Sequence, residues 1–243
     1  MSHESEYLSP SMDEFIEEMI SNRVKTLVIH PDDRSTDFLK EIYRGKYWTV
    51  VNDHNACKSR KVLTNLIKKH DRIIMLGHGY PGGLFYTAIN SDMVYLLREK
   101  ECVCIWCNAD QFVDKYGLKG FYTGMFISEV GEAYGNGIKA SQDEVTYSNN
   151  LFATELNKVI DTAFLPELIK EAYDGECPVI RFNNERLYYR DDEDIYLFER
   201  NHDESDFDEE EMRDFYDDLS EDEQPDFGDD FDPAGGHGLN SHI

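Results

Sequence analysis

Two stretches decide how this chain is read: Arg72-Ile73-Ile74-Met75-Leu76-Gly77-His78-Gly79-Tyr80-Pro81-Gly82-Gly83 and Cys102-Val103-Cys104-Ile105-Trp106-Cys107-Asn108-Ala109-Asp110. Each is a short apolar run that halts abruptly, the first at His-Gly in a glycine-rich turn, the second at a cysteine followed by small and polar residues. Apolar runs of this length, bounded by turn signals, read as strands buried on both faces. Between them, Ser91 to Lys100 carries Val94 and Leu97 on one helical face, with Asn90 or Ser91 as N-cap. Strand, helix, strand implies a right-handed crossover and parallel strands. His78 and Cys107 then stand at the carboxyl ends of neighbouring strands, where open parallel sheets hold their ligands.

Working outward, Ser11 and Glu14 have capping-box spacing ahead of Phe15, Met19 and Ile20. Val24 to His30 reads as the first strand. A helix follows, capped by Ser35 or Thr36, with Phe38, Leu39, Ile42 and Tyr43 inward. Tyr47 to Val51 reads as a second strand and Ala56 to His70 as a helix. Its Val62, Leu63, Leu66 and Ile67 are expected to face the sheet, and Lys58, Arg60, Lys61, Lys68 and Lys69 to face water. A short helix to Tyr116 is stopped by Gly117, and Phe121 to Ser128 reads as a fifth strand. Gly131 to Asn149, rich in Gly, Ser and Asn, reads as a loop. Leu151 to Phe164 reads as an amphipathic helix and Pro166 to Tyr173 as a shorter one. Pro178 to Phe182 and Arg186 to Tyr189, around Asn183-Asn184, suggest a hairpin. The alternation predicts a three-layer α/β/α sandwich with a mostly parallel sheet over residues 1–202.

The 243 residues, 40% hydrophobic, suffice for one full core plus a tail. From Asp203 to Asp232 there are 17 Asp and Glu against one Arg, which is −16 of the net −26 and leaves −10 for the rest. Residues 203–243 are therefore expected to form an acidic disordered tail. Phosphate would be repelled there, so no direct nucleic-acid binding is expected. Phe207, Phe215, Tyr216, Phe227 and Phe231 lie among those carboxylates, a composition suited to a basic protein partner or to the chain's own lysine-rich helix. Met1 to Pro10 has neither a basic segment nor an apolar core of a signal peptide, and no run approaches bilayer length. With an odd count of five cysteines, a reducing, cytoplasmic setting with free thiols and no membrane contact is expected.

A cysteine thiolate is a strong nucleophile, and a nearby histidine can take its proton. Gly79, with no side chain, lets its backbone N–H approach a substrate carbonyl. With the N–H of Cys107 it would form an oxyanion hole. The reaction class is acyl transfer to sulfur followed by hydrolysis. At these residues the chain resembles the caspase-like, or clan CD, cysteine peptidases. In that family an apolar strand ending in His-Gly is followed by a helix and an apolar strand ending in the nucleophilic cysteine. Cys107-Asn108 is most similar to the CHAT-domain version, and Trp106 stands where the family commonly has Ala. The resemblance implies a cysteine endopeptidase with a His78–Cys107 dyad, acting on protein or peptide substrates without a cofactor. It also implies a pocket near the first strand end and the segment after the nucleophile, where Asp32, Asp33, Asp110 and Glu129 stand. Such a pocket would select Arg or Lys before the cut, as in the metacaspase branch.

Blander assignments compete. Cys102 and Cys104 read as buried small hydrophobes, Cys107 could be another, and His78 could be a turn residue. A zinc site is disfavoured, because Cys102 and Cys104 point to one face of a strand and Cys107 to the other. The segment His78 to Gly83 is also similar to the oxyanion loop of α/β-hydrolases, yet the chain has no G-x-S-x-G elbow. From a different class comes a caspase-like fold without turnover, serving as a binding or adaptor protein through the acidic tail.

Overall fold

The computed structural model describes residues 24–84, 88–162 and 165–191. All of them belong to the first of the two units into which the chain divides, Met1–Glu199 and Arg200–Ile243. The helix expected at Ser11 and the acidic tail lie outside the described residues.

Eight strands are present among the described residues: β1 (Thr26–Ile29), β2 (Thr49–Val51), β3 (Arg72–Leu76), β4 (Gly79–Tyr80), β5 (Gly83–Leu84), β6 (Glu101–Ile105), β7 (Lys119–Thr123) and β8 (Leu187–Arg190). Six form one sheet in the order β2-β1-β3-β6-β7-β8, while β4 and β5 make a separate two-stranded ribbon. Every pairing in the large sheet is parallel except β7 with β8. The protein is thus an α/β sandwich with a mostly parallel sheet, as the alternating pattern predicts.

The strand pleat sends successive side chains to opposite faces. Leu27, Ile29, Ile73, Met75, Cys102 and Cys104 pack with Leu63, Ile67, Val94, Leu97, Phe112 and Val113 on one face. Val28, Ile74, Leu76, Val103 and Ile105 pack with Leu39, Ile42, Phe152, Leu156 and Ile169 on the other. Helices Arg60–Ile67, Val94–Leu97 and Ala109–Tyr116 therefore cover the first face. A 3-10 helix, Arg34–Tyr43, and helices Gln142–Val159 and Leu165–Ala172 cover the second.

Four expectations are corrected. The segment Gly131 to Asn149 is mostly helical: Val130–Gly135 and Gln142–Val159 each start on a capping box, Glu129 with Glu132 and Ser141 with Glu144. Its polar residues Ser148 and Asn149 are buried and bonded to Tyr173 Oη and the Ser128 carbonyl. The hairpin is not formed. Pro178 starts the helix Pro178–Asn184, and β8 pairs back onto β7, consistent with the preference of Pro for the first helical turn. The fifth strand ends at Thr123 rather than Ser128. The helix expected from Ala56 to His70 breaks at Ser59 into His54–Lys58 and Arg60–Ile67, because Ser59 caps the second piece. Within the second piece Leu63 and Ile67 are buried and Leu66 packs against the core, while Val62, expected to face the sheet, is 38% exposed.

Candidate functional site

The β3–β6 register runs from Arg72↔Glu101 to Leu76↔Ile105, so His78 and Cys107 each lie two residues past the last pair. Gly77 still donates its N–H to the Ile105 carbonyl, which keeps the two strand ends together. Just past Cys107, Asn108 adopts a left-handed φ of 61° and the helix Ala109–Tyr116 begins. A non-glycine residue in that region is uncommon, and Asn tolerates it better than most. The sharp turn leaves Cys107 at the strand tip instead of inside the pleat.

Trp106 explains the glycine after His78. The indole is 2% exposed and donates Nε1–H to the Tyr80 carbonyl at 3.2 Å. A Cβ on Gly79 would meet indole Cδ1 at 2.3 Å and the Gly83 carbonyl oxygen at 2.7 Å. The His-Gly turn thus rests directly on the residue preceding the cysteine, and only glycine leaves room for that contact.

The thiol and the imidazole have distinct partners. Cys107 Sγ has two acceptors for its single hydrogen, the Phe126 carbonyl at 3.6 Å and Glu132 Oε1 at 3.5 Å. The other carboxylate oxygen of Glu132 accepts from Ser128 N, Ser128 Oγ and Glu129 N at 2.7, 3.0 and 3.1 Å. Enclosure of the sulfur, followed by the charge of Glu132, pushes the Cys107 thiol far above the usual range, although the residue as a whole keeps some exposure. In this state the sulfur is a protonated thiol. His78 Nε2 lies 2.6 Å from Ser35 Oγ, and Ser35 in turn donates both Oγ–H and N–H to Asp33 Oδ1, at 2.5 and 2.8 Å.

A cleft of about 470 Å³ is lined by Ser35 and by Ser128 and Glu129, whose N–H groups bind Glu132. Its lining includes Arg34, Ser35, Phe38, Ser128, Glu129 and Asn149. Ser35 is one hydrogen bond from His78, and Ser128 is bonded to the carboxylate that holds Cys107. Of the four carboxylates expected in a pocket, Glu129 lines this cleft. Asp32 is paired with Lys40 at 2.9 Å on the surface, and that bond and charge hold its carboxyl below the usual range. Asp33 caps the 3-10 helix. Asp110 lies in the first turn of the helix Ala109–Tyr116; its Oδ1 is buried without a hydrogen-bond partner, and burial raises its carboxyl above the usual range. Gly79 opens β4 opposite Leu84.

Two further residues shape the site. Ser35 has a cap-like place in the sequence, and nothing local points to a histidine 43 residues on. Glu132 is foreshadowed only by the Glu129-x-x-Glu132 capping pattern. Burial raises the other enclosed thiols too, to about 11 for Cys57 and about 12 for Cys102. Among the described residues, no group of three or more His, Cys, Asp or Glu is arranged to hold a metal ion. No helix among them is long and apolar enough to cross a membrane.

The fold and this strand-end cluster define an α/β protein with a histidine and a cysteine at adjacent parallel strand ends. No protein-family model matches the chain, and no curated protein matches it. A crystal structure of Smu.1420 from Streptococcus mutans UA159 is similar to 56% of this chain and 100% of its own, at 13% identity and a TM-score of 0.35.

Proposed function

We propose that the chain is a cytoplasmic caspase-like cysteine endopeptidase, with Cys107 as nucleophile and His78 as its base. One observation carries the reading. The two residues occupy equivalent positions past neighbouring parallel strands, each one side chain away from the lining of a single cleft. In the reaction the Cys107 proton passes to His78 and the thiolate adds to the scissile carbonyl carbon. The oxyanion takes hydrogen bonds from the backbone N–H groups of Gly79 and Cys107. The C–N bond then breaks, the amine leaves with the proton from His78, and water hydrolyses the thioester. Glu129 is the acidic group in the cleft and supports selection of Arg or Lys before the cut, with Arg34 limiting the net negative field.

The described state is a resting one, because burial of the sulfur, with the Glu132 charge second, favours the protonated thiol. That same observation favours the second reading, a caspase-like binding protein without turnover. An arginyl acyloxymethyl ketone separates the two. Covalent capture of Cys107, lost in His78→Ala, supports the peptidase, whereas no adduct at Cys107 supports the silent protein.

A further inference from the structure

We infer that Asn183 is a positioning residue for Cys107: it grips the backbone of Ile127 and so holds the Phe126–Ser128 segment against the sulfur. Asn183 is fully buried in the helix Pro178–Asn184. Its Oδ1 accepts the Ile127 N–H at 2.7 Å, and its Nδ2 donates to the Ile127 carbonyl at 2.9 Å. One side-chain amide thus satisfies both backbone groups of a buried residue, as a neighbouring strand would. Nδ2 also donates to Tyr173 Oη at 3.2 Å, and Ser148 Oγ lies 2.6 Å from the same phenol oxygen. Asn183, Tyr173 and Ser148 are all fully enclosed. A buried polar network satisfied in this way favours one geometry, and here that geometry fixes a single loop residue after β7.

Both acceptors of the thiol hydrogen depend on where Ile127 sits. On one side of it, the Phe126 carbonyl lies 3.6 Å from Cys107 Sγ. On the other, Ser128 gives its N–H and Oγ–H to Glu132 Oε2, which leaves Oε1 3.5 Å from the sulfur. Asn149 Nδ2 donates to the Ser128 carbonyl at 2.8 Å, and further back the Asn108 N–H donates to the Gly124 carbonyl at 3.2 Å. The segment is therefore tied at both ends, and Asn183 supplies the tie in the middle, beside the carbonyl that faces the thiol. Asn183 acts through this backbone and not on the reacting atoms. The inference bears on the peptidase reading because it concerns its nucleophile, but it is tested without turnover.

Iodoacetamide alkylation of the full chain, read for each cysteine by peptide mass, is the test. Asn183→Leu keeps the side-chain bulk and loses both bonds to Ile127, and Asn183→Ala loses them and leaves space. Cys57, buried in the core on the other face of the sheet from Phe126, reports opening of the whole domain. In both variants the Cys107 rate should rise by about 10-fold or more, and its pH profile should move to lower pH as the sulfur gains water, with the Cys57 rate rising far less. In the native chain, amide exchange at Ile127 and alkylation at Cys107 should show the same urea dependence, since one opening releases both. That second measurement decides the matter where a variant fails to fold. A Cys107 rate that is unchanged, or that rises only in step with Cys57, overturns the inference, as does alkylation of Cys107 through an opening that leaves Ile127 protected. Should Cys107 respond as expected while no chain shows Cys107-dependent cleavage, the positioning role stands and the peptidase reading falls. Cleavage by a native chain whose thiol ignores Asn183 has the opposite meaning.

Discussion

Cys107 Sγ lies 3.5 Å from Glu132 Oε1, one of the two acceptors for the thiol hydrogen. A carboxylate is a poor neighbour for a nucleophilic sulfur, because it opposes formation of the thiolate. Burial contributes more to the raised thiol value, and Glu132 comes second. Removing the charge in Glu132→Gln should raise the alkylation rate of Cys107 by iodoacetamide, read by peptide mass, by about 5-fold or more. A rate equal to or below that of the native chain would show that Glu132 does not restrain the thiol.

The fit of Gly79 over Trp106 predicts an intolerant position. Alanine there would place its Cβ inside the indole contact distance, and overpacking of this kind costs about 1–3 kcal/mol. Urea unfolding of Gly79→Ala should show that loss, with peptide turnover reduced as the His78 turn is displaced. An unchanged unfolding midpoint would mean that the turn moves freely over the indole.

His30 predicts an acid-side loss of stability. Burial, then the Lys40 charge, lowers its pKa from 6.5 to about 4. The unfolded chain therefore binds this proton first, at pH values where the folded chain does not. Stability from this group is complete above about pH 6.5 and declines as pH falls toward 4. By pH 5 the loss should be roughly 2 kcal/mol relative to pH 7, and His30→Gln should remove that part of the slope. Equal pH slopes for the native chain and His30→Gln would contradict the buried neutral histidine.

If the chain is the proposed peptidase, selection by the cleft falls to Glu129, which lines it, since Asp32 is engaged with Lys40 on the surface. Glu129→Gln should lower kcat/KM for a peptide with Arg before the cut by about 10-fold relative to one with Gln there. Glutamine also retains an acceptor for the helix cap that Glu129 provides. Identical selectivity in the two proteins would place the specificity elsewhere.

The core strands were legible because β1, β3, β6 and β7 are buried on both faces. Such strands appear as continuous apolar runs between turn residues. The start of helix Gln142–Val159 was hidden because its buried side chains include Ser148 and Asn149, whose partners are supplied by distant segments. Periodicity cannot register a polar residue that becomes core through a tertiary hydrogen bond. Pro178 misled for another reason: beside Asn183-Asn184 it resembles turn chemistry, yet Pro in a first helical turn loses no hydrogen bond. At the site, His78 and Cys107 stood out because apolar runs stop at them. Ser35 and Glu132 did not, since the bonds that matter join Ser35 to His78 and Glu132 to Cys107 across the fold.

The most direct test is hydrolysis of a fluorogenic peptide library by the native chain, Cys107→Ala and His78→Ala, each checked for native unfolding behaviour. Cleavage after Arg or Lys is expected from the native chain, faster in Glu132→Gln, and reduced to background in both Cys107→Ala and His78→Ala. Cleavage that persists in Cys107→Ala, or native and Glu132→Gln chains that stay at background across the library, would contradict the peptidase reading.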